Sequence, residues 1–249
     1  MIEIRGLAKR LGRKQVLKDL DLDVRAGETL VVLGPSGTGK SVLLKHIIGL
    51  MKPDAGSIRI DGEETVGLSE EQLNPVRKRF GMLFQGAALL DSMTVGENVA
   101  LAMQEHARGL GEAEVRRRVN ERLEWVGLQD AVALKPASLS GGMRKRVGLA
   151  RALAMDPEYV LYDEPTTGLD PITADVIIQL IREMQKRLHV TSVVVTHDIK
   201  SAYTVADRIV LLYQGRVRFD GTAEETRHTD DAMMRQFIEG SSRGPIQPV

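Results

Sequence analysis

The sequence contains no cysteine. That excludes disulfides and thiolate-bound metal, and it fits a reducing compartment without requiring one. It carries no excess of charge either: 34 Lys and Arg are matched by 34 Asp and Glu. No overall field therefore draws it to nucleic acid or to an anionic membrane. No stretch approaches the ~18 uninterrupted apolar residues of a membrane-crossing helix, and runs such as Ile209-Val210-Leu211-Leu212-Tyr213 have strand length. Any membrane role is expected to come through a partner. Met1-Ile2-Glu3-Ile4-Arg5 is charged and lacks an apolar centre, so a signal peptide is not expected. There is no internal repeat and no low-complexity tract. What remains is an ordinary globular balance, 249 residues of which 43% are apolar. It suits one large α/β domain, or one carrying a small inserted lobe.

Within that balance one stretch stands out. Gly34-Pro35-Ser36-Gly37-Thr38-Gly39-Lys40-Ser41 has the spacing of a phosphate-cradling loop. The apolar run Leu30–Leu33 before it reads as a buried strand, and Ser41–Ile48 after it reads as a helix. Glycines let the backbone turn sharply and aim successive N–H groups at phosphate oxygens. The start of the helix adds unpaired amides and a positive dipole end. Lys40 supplies a mobile charge for the β- and γ-phosphates, and the Ser41 hydroxyl can ligate Mg²⁺. A glycine-rich turn before an ordinary helix is the bland alternative, and the strand–loop–helix context argues against it.

Along the chain, Ile2–Leu7 and Val16–Val24 alternate apolar and charged residues, with a basic, turn-like Lys9–Lys14 between them. This pattern predicts an antiparallel sheet edge. Ile58-Arg59-Ile60 before Asp61-Gly62 reads as a strand ending in a turn, and Phe80–Gln85 as a buried strand ending in a polar side chain. From Val95 to about Lys135 the pattern is helical, with Val115, Val119, Leu123 and Val126 on one face. Arg116, Arg117, Arg118, Glu121, Arg122 and Glu124 fall mostly elsewhere, and the basic cluster Arg116–Arg118 reads as a solvated face rather than a binding patch. A helical lobe inserted between core strands, at about 86–156, follows. Ile209–Tyr213 and Arg216–Phe219 form a hairpin, Asp231–Glu239 a short helix and Ser241–Val249 a tail.

A second set of chemical residues follows apolar runs of strand length. Asp163 can hold Mg²⁺ and Glu164 can orient or deprotonate an attacking water. Gln85 and His197, each ending a strand, are placed to contact Mg²⁺ or water and to donate to a γ-phosphate. Leu139-Ser140-Gly141-Gly142-Met143 opens an apolar-periodic segment, which makes a serine-capped helix start and a second anion site. Either each anion site binds its own phosphate, or one subunit's cap faces another subunit's loop with ATP between them.

These residues resemble those of ABC-transporter ATPase subunits over nearly the whole chain. Gly34–Ser41 looks like the Walker A loop, Gln85 the Q-loop glutamine and Leu139–Met143 the signature motif. Tyr159–Asp163 with Glu164 resembles Walker B and its catalytic glutamate, Thr167–Asp170 the D-loop and His197 the switch histidine. The resemblance implies a P-loop NTPase of the α/β class, with an antiparallel β edge subdomain and an inserted α-helical subdomain. It also implies a head-to-tail homodimer sandwiching two ATP molecules, with Ser140, Gly141 and Gly142 reaching the nucleotide on the opposite subunit and Asp170 among the nucleotide-binding residues. Two positions depart from the pattern. Met143 stands where glutamine is usual, and Leu11 stands where an adenine-stacking aromatic is usual, which implies weak selectivity for adenine over guanine.

Within the family the chain is similar to the ATPases of Mla-type, Mce-associated phospholipid transport systems. The carrying stretches are Val76–Leu89, Ser140–Arg146, Asp163–Thr173 and Arg235–Gly240 with Gly244-Pro245. That group implies an integral membrane permease, an Mce-domain protein and often a STAS-domain subunit on the helical lobe, with no nucleic acid. It places the chain at the cytoplasmic face of the bacterial inner membrane, its tail clasping the opposite subunit. An importer of amino acids or other small solutes keeps the same ATPase and changes the cargo. An ABC protein of DNA maintenance or of ribosomes needs a long coiled coil or tandem cassettes, and the sequence has neither. A small-molecule kinase leaves Leu139–Met143 unexplained.

Overall fold

A computed structural model of the chain describes residues 1–106 and 109–247; of the expected tail, Pro248 and Val249 lie outside the described residues. In chain order the elements begin with β1 (Ile2–Leu11), β2 (Lys14–Val24), β3 (Thr29–Leu33), α1 (Lys40–Ile47), β4 (Ala55–Ile60), β5 (Glu63–Glu64) and α2 (Glu70–Lys78). There follow β6 (Phe80–Leu83), α3 (Val95–His106), α4 (Glu112–Trp125), α5 (Gly141–Ala152), β7 (Tyr159–Asp163) and α6 (Pro171–Leu188). The last are β8 (Thr191–Thr196), α7 (Ile199–Val205), β9 (Arg208–Tyr213), β10 (Arg216–Thr222), α8 (Ala223–Arg227) and α9 (Ala232–Glu239). The chain forms two compact units: Met1–Val76 with the segment from Thr191 on, and Arg77–Val190.

The first unit holds an antiparallel sheet in the order β2-β1-β4-β5. Ile2 and Ile4 lie opposite Val24 and Leu22 on one side and Ile60 and Ile58 on the other, and all six are buried. This is the alternation the sequence carries, one face apolar and one wet. The strands are longer than the alternation suggests. Lys9 pairs with Leu17 and Arg10 with Gln15, so the segment read as turn-like is strand as far as Leu11. Ladder pairing at an edge does not require apolar side chains, and only Gly12-Arg13 connects β1 to β2. Asp61-Gly62 and Gln214-Gly215 both have positive φ at the two central positions, the geometry that matches hairpin twist.

The same unit holds the parallel strands β9-β3-β8, with β10 antiparallel on β9. β3 and β8 are buried along their whole length. That is why they read as unbroken apolar runs instead of alternating ones. Leu33 pairs with Thr196, so Gly34 and His197 leave the sheet side by side.

In the second unit β6 and β7 are parallel, with Leu83 opposite Tyr162. Phe80 stacks on Tyr159 at 4.7 Å between ring centroids. Helices α3, α4 and α5 pack together. Arg116 and Arg117 are exposed, Arg117 pairing with Glu114 and Glu121. Arg122 is different: it is buried, pairs with Asp156, donates to the Leu153 carbonyl at 3.1 Å and lies 3.9 Å from the Trp125 ring centroid. A guanidinium can be buried there because carboxylate, carbonyl and ring share its charge. Among the described residues no helix is long and apolar enough to cross a membrane.

His46, on α1, gives a testable consequence of the first unit's packing. It is buried, its Nδ1–H donates to Val42 O at 2.7 Å, and Lys9, Asp54 and the Lys52 carbonyl surround it. Burial, with Lys9, lowers its pKa. The unfolded chain then binds the proton more readily than the folded one, so stability rises with pH as the unfolded imidazole gives up its proton. Urea midpoints are expected to climb as pH rises toward the ordinary imidazole value of about 6.5, and His46→Gln to flatten that slope. The depressed Asp54 carboxyl titrates lower, below about pH 4. An unchanged slope in the variant counts against this account.

Candidate functional site

The loop from Gly34 to Gly39 connects β3 to α1. A Cβ at Gly34 would sit 2.3 Å from the Leu212 carbonyl oxygen, so only glycine fits where the loop leaves the sheet. Gly39 occupies the N-cap of α1 at φ 106° and has no side chain to cap with. No acidic residue lies in the first turn of α1, so the positive end of the helix is available to an anion. Lys40 is 5% exposed. Its Nζ donates to Gly34 O at 2.7 Å and to Pro35 O at 3.1 Å, which curls the loop around the ammonium.

Beside the loop is a cavity of about 690 Å³, its lining including Arg10, Arg13, Lys14, Lys18, Ser36 and Gly37. Lys14 Nζ donates to Gly37 O at 3.3 Å. Leu11 is 42% exposed, at the end of β1. His197 is exposed, one residue beyond β8 and not in it. The tail folds back on its own chain. Ile246 N donates to Gln236 Oε1 at 2.6 Å, Gln236 Nε2 donates to Ile246 O at 2.9 Å, and Gln247 N donates to Tyr213 Oη at 3.1 Å.

The second unit brings together the remaining candidates. Asp163 ends β7, and Glu164 follows with a left-handed backbone, φ 47°. That conformation costs a non-glycine residue roughly 1 kcal/mol or more and persists where the surroundings enforce it. Here the Glu164 carbonyl accepts from Lys145 Nζ at 3.0 Å and from Thr167 N at 3.3 Å, and its carboxylate accepts from Thr167 Oγ1 at 3.1 Å. Burial pushes the Lys145 ammonium down to about 8, opposed by the charges of Asp163 and Glu164. Gln85 is exposed two residues beyond the end of β6, whose Leu83 pairs with Tyr162, so Gln85 comes close to Asp163 in the chain's layout. Sequence reading placed Gln85 inside the strand; the ladder ends at Leu83, and Phe84-Gln85 belong to the turn.

Ser140 caps α5, its Oγ accepting from Met143 N at 3.2 Å, and α5 has no acidic residue in its first turn. Asp170 caps α6, accepting from Ile172 N and Thr173 N at 3.0 Å each. The Thr173 hydroxyl and these amides hold its carboxyl below the usual range. Lys145 and Arg151, which hold the turns after Asp163 and Gln85, were not singled out from the sequence; a basic residue in an amphipathic helix gives no signal that it points inward. Among the described residues no three His, Asp or Glu gather where they could hold a metal ion.

An α/β architecture with a glycine loop closed on a buried lysine is that of an ATP-binding cassette. Residues 17–167 match the model of the ABC transporter family, and the chain belongs to that family as an ATPase subunit, binding ATP and hydrolysing it in support of transport. It is 41% identical to the intermembrane phospholipid transport system ATP-binding protein MlaF of Haemophilus influenzae, over 99% of this chain and 93% of that one. It is 43% identical to the probable ribonucleotide transport ATP-binding protein mkl of Mycobacterium leprae, over 98% of this chain and 70% of that one. Among solved structures, a dimeric ATP-binding cassette in a post-hydrolysis state, bound to ADP and Pi, superposes with a TM-score of 0.83 at 36% identity. That match covers 90% of this chain and 99% of the other. ABC cassettes dimerise and work with membrane permeases, and this chain is of that kind.

Proposed function

We propose that this ATPase drives phospholipid transport in a bacterial envelope, seated at the cytoplasmic face of the inner membrane on an integral permease. The observation that carries the cargo is coverage: the match to a phospholipid-transport ATPase runs through 93% of that protein's length. The similarly identical mkl protein is matched over 70%, and its printed name supports a second reading, a small polar solute as cargo. An Mce-domain protein and a STAS-domain subunit, the latter on a helical lobe at 86–156, complete the first reading.

In this reading two copies close head to tail on ATP. Lys40 and the amides from Gly34 to Ser41 bind the β- and γ-phosphates, and Ser140, Gly141 and Gly142 of the second copy meet the same nucleotide. Asp170 holds the loop before α6 against that neighbour. Ser41, Gln85 and Asp163 would hold Mg²⁺; a hydroxyl, an amide and a carboxylate are all hard oxygen donors, the set that cation takes. The chemistry such a cation would supply there is neutralisation of the negative charge on the transferred phosphoryl group. Glu164 takes the proton of the attacking water, and His197 donates to the γ-phosphate. Support for the head-to-tail arrangement comes from two helix starts, α1 and α5, that carry no acid of their own.

Purifying the chain with its membrane partners and identifying the co-purifying lipid tests the cargo: phospholipid with a permease supports it, a soluble solute-binding partner without lipid overturns it. Leu11 adds a selectivity test. Without an aromatic platform the base contributes little, so ATP and GTP should bind within about threefold of each other. Leu11→Tyr should tighten both by about fivefold or more, because stacking is tolerant of base identity. Titration with both nucleotides measures it, and strong adenine preference in the unaltered chain would contradict the assignment.

A further inference from the structure

Two turns that carry candidate site residues pass through left-handed backbone at residues other than glycine. One is Glu164 at φ 47°, next to Asp163; the other is Ala87-Ala88 at φ 61° and 49°, just after Gln85. Turns of this kind need neighbours to hold them. Both are held by cations from a single helix. Lys145 Nζ donates to the Glu164 carbonyl at 3.0 Å. Arg151 donates to the carbonyls of Ala87 and Ala88 at 2.7 Å each. Burial strips water from both cations, Lys145 being 4% exposed.

That helix is α5, which begins at the Ser140 cap. Lys145 lies little more than a turn past the cap, ~8 Å along the axis, and Arg151 about three turns past, ~16 Å. The helix packs closely on its neighbours at two glycines. A Cβ at Gly142 would stand 2.4 Å from Thr173 Cγ2 on α6, and one at Gly148 would stand 2.8 Å from Leu83 Cδ1 on β6. Close-packed interfaces of this kind move as units.

We propose that α5 is a coupling bar, in which Lys145 is a positioning residue that conveys the state of the Ser140-capped helix start to the Glu164 backbone, and Arg151 conveys it to the turn after Gln85. A phosphate arriving at the cap from a second copy thereby acts on the residue that activates water in the first copy's facing site. The inference rests on the reading of Glu164 given above. It assigns the reason a buried lysine is spent on a carbonyl: it fixes where the glutamate stands.

The test is steady-state ATP hydrolysis by the full chain. Lys145→Met should lower kcat by ~10-fold or more while KM for ATP stays within about twofold, the signature of an interaction needed in the transition state and not for binding. Lys145→Arg, which keeps a donor, should restore most of the loss. In Ser140→Ala/Lys145→Met the two losses should overlap, leaving the double variant no worse than the worse single one. Wild-type kcat in Lys145→Met, or strictly multiplicative losses, overturns the coupling. Should Lys145→Met fail to fold, Arg151→Lys is read the same way: a lowered kcat at constant KM supports the bar, and wild-type kcat overturns it. Glu164→Gln separates the two levels. Loss of turnover there with none in Lys145→Met removes the coupling alone, whereas retained turnover in Glu164→Gln removes the glutamate's role and the coupling with it.

Discussion

Glu164→Gln is expected to leave ATP binding within about twofold of the unaltered chain and to lower turnover by about 10²-fold or more, the usual contribution of a positioned general base. The substitution is nearly isosteric. The amide oxygen can still accept from Thr167 Oγ1, and the backbone at φ 47° remains held by Lys145 and Thr167. What disappears is the ability to take a proton from water. Binding, which the proposed reading assigns to Lys40 and the amides of the glycine loop, should be untouched. A trapped, ATP-loaded variant should therefore accumulate as a dimer, visible by light scattering or gel filtration with ATP. Undiminished steady-state hydrolysis would take the general-base role from Glu164, and a strictly monomeric ATP-bound variant would defeat the head-to-tail arrangement.

The parts of this fold legible in the sequence are those where one physical requirement leaves one mark. β3 and β8 are buried on both faces and so read as unbroken apolar runs. The glycine loop is legible because a backbone approaching Leu212 O within a Cβ's reach tolerates nothing larger. Ser140 announces a helix start because few residues can cap one, and the cap is where the sequence puts it.

The illegible parts are those where a residue's role depends on partners far along the chain. Arg122 carries the same charge as the exposed Arg116 and Arg117, and only Asp156, the Leu153 carbonyl and Trp125 turn it inward. Lys145 looks like one more cation in Arg144-Lys145-Arg146 until the Glu164 carbonyl is in view. The ends of β1 and β6 slipped by two to four residues for a related reason: ladder pairing at Lys9 and Arg10 ignores side-chain polarity, and pairing stops at Leu83 although Phe84 is apolar. Helix α6 shows the complement. Its cap at Asp170 and its Pro171 follow the rules for a helix start, and the same cap residue ends the stretch that resembles the D-loop.

Lys40→Met should produce the opposite phenotype to Glu164→Gln, loss of nucleotide binding in place of loss of chemistry. The buried lysine donates to Gly34 O at 2.7 Å and to Pro35 O at 3.1 Å, and supplies the one mobile charge of the glycine loop. A hydrogen bond to a charged group contributes about 1.5–3 kcal/mol, so losing the ammonium from a bound triphosphate should weaken ATP by roughly 10- to 150-fold. Methionine preserves most of the stem's volume, so the packing of α1 against the strands survives and thermal stability should change little by comparison. Lys40→Arg separates charge from shape. Its planar fork keeps the charge but cannot place a compact ammonium under the Gly34-Pro35 carbonyls, and affinity should fall between the other two. Equilibrium titration with ATP and with ADP distinguishes the components: if the lysine reaches the γ-phosphate as proposed, the penalty should be larger for ATP. Wild-type affinity for both nucleotides in Lys40→Met would mean that the loop amides alone hold the phosphates and that the buried lysine serves only to shape the loop.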